Sequence, residues 1–471
     1  MYQKIVDFIT EVADFLCGYP LFFLIIGGGL FLMFRSRFIS FRGLKASITE
    51  LRTKNTSGSG QISSFEALSS VIAATVGMGS ITGVAIALCV GGPGAIFWMW
   101  VSAVVGMCTK FHEGALTTMF KGRDSKGVAC GGTMYIVENG LGRKWKPLGV
   151  MFATAGLFGT LCILNTNQLG EAIIDVFATP EGIASSSMLT GISSVFGFDN
   201  LMSLKMIYGI IVAVIVAIVV LGGIKRIASV ASRLVPFMIG LYFVMVLYIV
   251  ITNIGEVPSV LAGIFRDAFT LEAGAGGAAG IIIVALTGAR RAALVNEAGV
   301  GTATIMHGAT RSDNPVREGL VAMLGPAIDS GLVCTLTAIA ILLCGNYHVE
   351  EVKGLTIALG AFDAAIPYGR YFLLVVITCF AVSSMFSYSF YGTHCAKYLF
   401  GENRARWYTY FYIATLVVFA MIPLQAAVGL CDLAYFLMAV PTMTAVLALS
   451  GKVRRATDDY FRRKKSQDLV D

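Results

Sequence analysis

The sequence predicts an all-α protein that crosses a membrane about eleven times within one domain covering residues 1–471. Of the 471 residues, 56% are apolar and only 13% are charged, whereas a soluble domain carries about 25% charged residues. Apolar runs of about 20 residues, the length needed to cross a bilayer, recur along the whole chain. The 53 glycines suit close packing of helices in lipid. A water-soluble globule is thereby excluded.

Charge clusters divide these apolar runs into separate segments. The predicted spans are 15–34, 66–90, 95–119, 147–174, 206–223, 234–254, 274–295, 316–344, 371–392, 407–424 and 432–450. No small-residue cleavage site follows the first segment, so we interpret it as a retained span rather than a signal peptide.

The distribution of lysine and arginine predicts the orientation. If the eleven spans alternate between two compartments, 30 of the 35 cations fall on one side and five on the other. Cytoplasmic connections are enriched in Lys and Arg. We therefore expect a multi-pass protein of the cell membrane with its N-terminus outside and a basic tail, residues 451–471, in the cytoplasm.

Several classes of function are disfavoured by missing patterns. The ten cysteines show no CxxC spacing, so they predict packing thiols rather than disulfides or a metal site. GxSxG, HExxH and Walker-type sequences are absent, which argues against an enzyme. We expect the lipid bilayer as the surroundings, and no nucleic acid, organic cofactor or obligate protein partner.

The spans after the first form two groups of five, 66–254 and 274–450. Because five is odd, the groups have opposite orientations, which predicts an inverted repeat. Each group begins with a glycine-rich interruption, at 76–80 and at 274–280. Matched interruptions in two halves indicate the binding site of a transporter. An ion channel stays open as a distant alternative, since half-helices and carbonyls also build filters.

Unwinding a helix in lipid frees backbone N–H and C=O groups, which must find other partners. The N-terminal end of a half-helix favours a carboxylate, and freed carbonyls favour a cation such as sodium. Two interruptions in one chain therefore predict neighbouring sites for an anionic group and a cation.

Long motifs in this chain are similar to those of the alanine or glycine:cation symporters. They are GMGSITGVA (77–85), GGPGAIFWMW (91–100), NEAGVG (296–301), NPVREGL (314–320) and the stretch from YG (391–392) to YLFG (398–401). The resemblance implies two inverted five-helix units of the leucine-transporter type after one extra helix. It also implies symport of a small neutral amino acid, such as alanine or glycine, with sodium or a proton.

Several pocket positions depart from the family pattern. The family usually has Asn at Ser80, a small Thr or Asn at Met78, Gln at Asn165 and Thr at Ser384. It also usually has Trp at Tyr388 and Glu at Thr393. Most of these changes shorten a polar side chain and enlarge the space, so a larger or different amino-acid-like substrate remains an alternative.

Sodium needs several oxygen ligands, mostly neutral ones, so that it can be released again. The predicted ligands are the carbonyls of Thr75, Val76 and Met78 together with the hydroxyls of Ser383 and Ser384. The adjacent hydroxyls match the Ser-Thr pair of the family that the chain resembles.

An amino acid needs donors for its carboxylate and acceptors for its ammonium group. The predicted donors are the N–H groups of Gly79 and Ser80 and the amide of Asn165 or Asn167. The predicted acceptors are carbonyls at Gly276 and Gly277 with the Ser384 hydroxyl. Tyr388 and Leu164 are candidates for the pocket wall, although Tyr388 equally suits plain helix packing.

Ionisable groups inside spans are functional candidates because their burial in lipid is costly. Glu113 is expected to pair with Lys110, and Glu297, after two arginines, is expected to form a structural or gating ion pair. Asp329 lacks a cation near it in sequence and is the best candidate for a proton or second-cation site. Glu171 and Asp175 are the other two candidates.

Overall fold

The structure is a computed structural model that describes residues 18–53, 60–123, 127–269, 278–344, 354–422 and 424–467, together with residues 12, 15 and 16. Helices account for most of these residues. The sheet within these ranges is a hairpin of two short antiparallel strands, β1 (Gly122–Arg123) and β2 (Ala129–Cys130). The predicted helical class is confirmed.

The described helices before residue 270 include three of more than 20 residues and eleven shorter ones. They are α1 (Tyr19–Arg35), α2 (Ile39–Arg42), α3 (Leu44–Arg52), α4 (Ser64–Thr75), α5 (Gly79–Gly91), α6 (Gly94–Met119), α7 (133–141), α8 (Lys146–Gly159), α9 (Ile163–Phe177), α10 (Pro180–Ser185), α11 (Ser187–Phe196), α12 (Asn200–Val220), α13 (Gly223–Thr252) and α14 (Val257–Asp267).

The helices after residue 277 are fewer and longer. They are α15 (Ala278–Asn296), α16 (Thr302–Gly308), α17 (Pro315–Cys344), α18 (Gly354–Ala365), α19 (Gly369–Phe400), α20 (Glu402–Met421) and α21 (Leu424–Gln467). Helix α21 continues well past the predicted end of the last span at residue 450, so most of the basic tail is helical.

Each of the eleven predicted spans overlaps a helix. Within the described residues, seven helical stretches are long and apolar enough to cross a membrane when α8 and α9 are counted as one, and α4 with α5 can be counted as an eighth. Helix α1, with 17 residues, is shorter than the 18 residues this criterion requires, and the first turns of α20 contain charged residues, Trp407 and tyrosines, which lower its mean hydropathy. Helix α15 begins directly after residues 270–277, which the structure does not describe.

The first predicted break is present between α4 and α5, which are bent by 55°. Helix α4 starts at a capping box, in which Ser63 and Glu66 satisfy each other's backbone N–H groups. It ends at Thr75, because Val76 has a non-helical ψ of 83°. Helix α5 restarts with a π-helical turn, Gly79–Gly83.

The second predicted break lies mostly outside the described residues. Helices α14 and α15 flank residues 270–277, and Gly276 and Gly277 belong to that undescribed stretch. Residues 278–280, which we expected to be part of the break, form the first turn of α15.

The broken helix lies in the centre of the protein. Ten of the twelve residues of α4 are buried, and α4 packs against α13, α16 and α19. Helix α5 packs against α15 and α17. Backbone groups freed at the break therefore face protein rather than lipid.

Candidate functional site

A cavity of about 130 Å³ lies beside the break. A cavity of roughly 150 Å³ accommodates a molecule the size of benzene, so this volume suits a small solute. Its polar and charged lining comes from α4, α5, α9, α15, α19, α21 and the turn after α15. These residues are Thr75, Thr82, Asn165, Gln168, Arg291, Glu297, Tyr388, Asp432 and Tyr435.

Three of the predicted substrate residues line this cavity, namely Gly79, Asn165 and Tyr388, and so does the predicted wall residue Leu164. Ser80 is placed differently. Its hydroxyl donates to Asp329 at 2.7 Å, and its N–H donates to the Gly77 carbonyl at 3.2 Å. The Ser80 backbone donor is therefore already used within the break.

Asn167 points away from the cavity, which corrects the expectation for this residue. Its amide donates to the carbonyls of Phe419 and Ile422 at the end of α20. Residues two apart on a helix of 3.6 residues per turn project about 200° apart, so Asn165 and Asn167 cannot share a face. Gln168, three residues after Asn165, lies on the cavity side and was not predicted.

Two adjacent hydroxyls of α19 meet the end of α4. Ser384 Oγ lies 3.0 Å from the carbonyls of both Ala73 and Ala74. Ser383 Oγ lies 3.2 Å from the Ala73 carbonyl. Both hydroxyls also contact the Phe380 carbonyl of their own helix, at 2.9 and 3.0 Å.

The position of these carbonyls follows from helix geometry. The last carbonyls of any helix lack intrahelical donors, and α4 remains helical through Thr75. The Ile72 carbonyl still accepts from Val76, which leaves those of Ala73, Ala74 and Thr75 available. The hydroxyls thus meet the carbonyls of the two residues that precede Thr75, the first of the predicted ligands Thr75, Val76 and Met78. Thr75 lines the cavity, whereas the side chains of Val76 and Met78 are fully buried.

Glu297 is held by hydroxyl groups, a set of partners that the sequence did not predict. Its Oε1 accepts from Tyr388 and, at 2.8 Å, from Tyr435. Its Oε2 accepts from Thr302 at 2.5 Å. The residue is 2% exposed and has a left-handed φ of 50°. Arg290, one of the arginines expected nearby, instead lies 3.8 Å from Asp432.

The other ionisable candidates have identifiable partners. The predicted pair of Glu113 with Lys110 is confirmed at 3.6 Å, and Glu113 also accepts from the Gly299 N–H at 2.7 Å. Glu171 pairs with Lys205 and Asp175 pairs with Arg370. Asp329 is fully buried in a π-helical turn of α17 and accepts from Ser80.

A bent, broken helix beside a small polar cavity in the centre of a membrane helix bundle defines a membrane transporter of a small solute. The model of the sodium:alanine symporter family matches residues 2–470. The chain belongs to this family, which confirms the resemblance found in its motifs. It is accordingly a cation-coupled amino-acid symporter, and the channel alternative loses its support.

Individual relatives match along nearly the whole chain. The sodium/alanine symporter AgcS of Methanococcus maripaludis is 33% identical over 98% of both chains. The probable sodium/glutamine symporter GlnT of Bacillus subtilis is 31% identical over 98% of this chain and 92% of its own.

The fold is similar to that in the crystal structure of MhsT in complex with L-phenylalanine. The TM-score is 0.54, with 84% of this chain and 88% of that chain covered. At 14% sequence identity, this likeness shows a shared fold and nothing about substrate.

Proposed function

We propose that this protein couples inward movement of sodium to uptake of a small neutral amino acid by alternating access. The observation that carries the proposal is the contact of Ser383 and Ser384 with the free carbonyls of Ala73 and Ala74. These oxygens are neutral, and a cation held by neutral oxygens can be released in each cycle. Sodium suits this oxygen set better than a proton, for which the set offers no carboxylate.

The proposed architecture has eleven spans, an outside N-terminus and two inverted groups of five, 66–254 and 274–450. The overlap of each predicted span with a helix supports the count. The distribution of 30 cations on one side against five on the other supports the orientation.

The proposed substrate site is the cavity beside the break. The N–H groups at the start of α5, with Gly79 and the Asn165 amide, would bind the carboxylate, as the positive end of a helix dipole favours. Ser384 and carbonyls at Gly276 and Gly277, outside the described residues, would accept from the ammonium group. Tyr388 forms part of the wall.

The volume of the cavity favours a small substrate. About 130 Å³ is enough for alanine or glycine, and a bulky aromatic amino acid would require the walls to move. A larger polar amino acid is the second candidate, because Gln168, Thr82 and the charged side chains add hydrogen-bonding groups to the lining.

Thermal unfolding of the purified protein with single amino acids tests this function. A ligand at 100 times its Kd stabilises the folded state by about 2.7 kcal/mol, which raises Tm by a few degrees. We expect this rise with alanine or glycine in sodium chloride and a much smaller one in choline chloride at the same pH. An equal rise in both salts would contradict sodium coupling, and a rise with phenylalanine alone would contradict a small substrate.

Replacing Gly77 with alanine tests whether the break holds the cation. A Cβ at Gly77 would lie 2.9 Å from Ser384 Oγ and 3.6 Å from Asn165 Nδ2, so the hydroxyl must move. We expect sodium-driven uptake into proteoliposomes to fall at least about tenfold, a cost near 1.4 kcal/mol. Gly240→Ala in α13 is the control, because no atom lies within 4 Å of its added Cβ. Equal uptake by the two variants would contradict the proposed site.

A further inference from the structure

The chain turns sharply where the first span ends. Helix α1 ends at Arg35, and after Ser36 the residues Arg37 and Phe38 have left-handed φ values of 55° and 57°. Two consecutive non-glycine residues with such φ values are uncommon. Residues 37–52, which contain α2 and α3, are called the elbow segment below. It does not continue the axis of α1.

One side of the elbow segment packs on the protein. Ile39 and Ser47 are fully buried, and Glu50 is 8% exposed. Glu50 accepts from Arg317 Nε at 2.6 Å and from the Tyr460 hydroxyl at 2.6 Å. The elbow segment is thereby fixed both to the start of α17 and to the C-terminal part of α21.

A second side exposes large apolar side chains. Phe38, Phe41, Leu44 and Ile48 are between 40% and 65% exposed. Backbone hydrogen bonds from Gly43 to Ile39 and from Ser47 to Gly43 continue the helical turn from α2 into α3, so the spacing of residues 41, 44 and 48 places them on one face. This apolar strip directly follows a span, so it lies where a bilayer surface meets the protein.

A basic border adjoins the apolar strip. Arg37, Lys45 and Arg52 are exposed, and among the residues that the structure describes no carboxylate forms an ion pair with them. An apolar helix face bordered by cations is typical of a helix that lies in the membrane interface. Anionic headgroups attract such cations.

We propose that the elbow segment lies in the interfacial layer of the bilayer and binds anionic phospholipid. Phe41, Leu44 and Ile48 would enter the acyl boundary, while Arg37, Lys45 and Arg52 contact the phosphates. The charge of the border and its continuity with α1 select a bilayer lipid as the occupant. This binding is separate from transport and needs no amino acid or sodium.

Native mass spectrometry of the full-length protein tests this proposal with two lipids of identical acyl chains, dioleoylphosphatidylglycerol and dioleoylphosphatidylcholine. We expect the wild type to bind the phosphatidylglycerol at least about tenfold more tightly. The triple variant R37Q/K45Q/R52Q is expected to lose most of this preference. If the triple variant does not fold, the double variant K45Q/R52Q is measured in its place. It is expected to lose part of the preference for phosphatidylglycerol.

The matched control is K144Q/R226Q/R404Q, which removes three exposed cations from other connections of the same predicted side. It is expected to keep the preference of the wild type. A wild type without preference for phosphatidylglycerol would overturn the proposal. The proposal would also be overturned if R37Q/K45Q/R52Q kept the full preference for phosphatidylglycerol, or if the control variant lost as much of this preference as the triple variant.

Discussion

Replacing Ser384 with alanine is expected to raise the sodium concentration for half-maximal uptake by about tenfold to a hundredfold. The hydroxyl lies 3.0 Å from the carbonyls of Ala73 and Ala74, where the proposed cation binds. A bond to a charged group is worth about 1.5–3 kcal/mol, and each 1.4 kcal/mol corresponds to a factor of ten. Sodium titration of uptake into proteoliposomes measures the effect.

The control for this variant is Ser389→Ala on the same helix. Ser389 is also fully buried, but its hydroxyl donates to the Phe386 carbonyl of its own helix at 2.6 Å. It should leave the sodium dependence unchanged. If both variants shifted the sodium concentration for half-maximal uptake equally, the cation would bind elsewhere. If Ser384→Ala left this concentration unchanged, the Ser384 hydroxyl would not be a ligand.

Replacing Glu297 with alanine is expected to reduce uptake more than a hundredfold and to lower Tm. The substitution removes the carboxylate that accepts from Tyr388, Tyr435 and Thr302. The two tyrosine hydroxyls then keep only their contact with each other at 2.7 Å, and Thr302 loses its acceptor. Each buried polar group left unpaired costs about 1–3 kcal/mol. Uptake and thermal unfolding, measured on the same preparation, separate the functional loss from the loss of stability.

Glu297→Gln distinguishes hydrogen bonding from charge. Glutamine keeps an acceptor oxygen for the two tyrosines but removes the negative charge. We expect it to retain most of the Tm and a larger share of uptake than Glu297→Ala. If Glu297→Gln were as destabilised as Glu297→Ala, the charge rather than the hydroxyl contacts would hold this part of the cavity wall.

The sequence was sufficient to predict the helices and the first break, because both depend on local patterns. Apolar length predicted the spans, and the glycines around Val76 predicted where α4 ends. The same local information could not decide which carbonyls face Ser384. That choice depends on the last residue of α4 that stays helical, and a difference of one residue changes it.

The cavity lining was harder to predict because it depends on helix rotation and tertiary contacts. Asn165, Asn167 and Gln168 are similar amides in one short run, and only their angular positions separate Asn165 and Gln168 from Asn167. Helical spacing could have identified this difference. The contact of Glu297 with Tyr435 joins residues 138 apart in sequence, and no local signal indicates it.

The two ends of the break are contacted by side chains from α19 and α17. Ser383 and Ser384 of α19 hold the end of α4, whereas Asp329 of α17 holds α5 through Ser80. Residues 76–78 therefore lie between two points of attachment, and α17 is bonded to the broken helix a second time, through Glu318 and Ser64 at the far end of α4. We expect a displacement of α17 relative to α19 to change the backbone at residues 76–78.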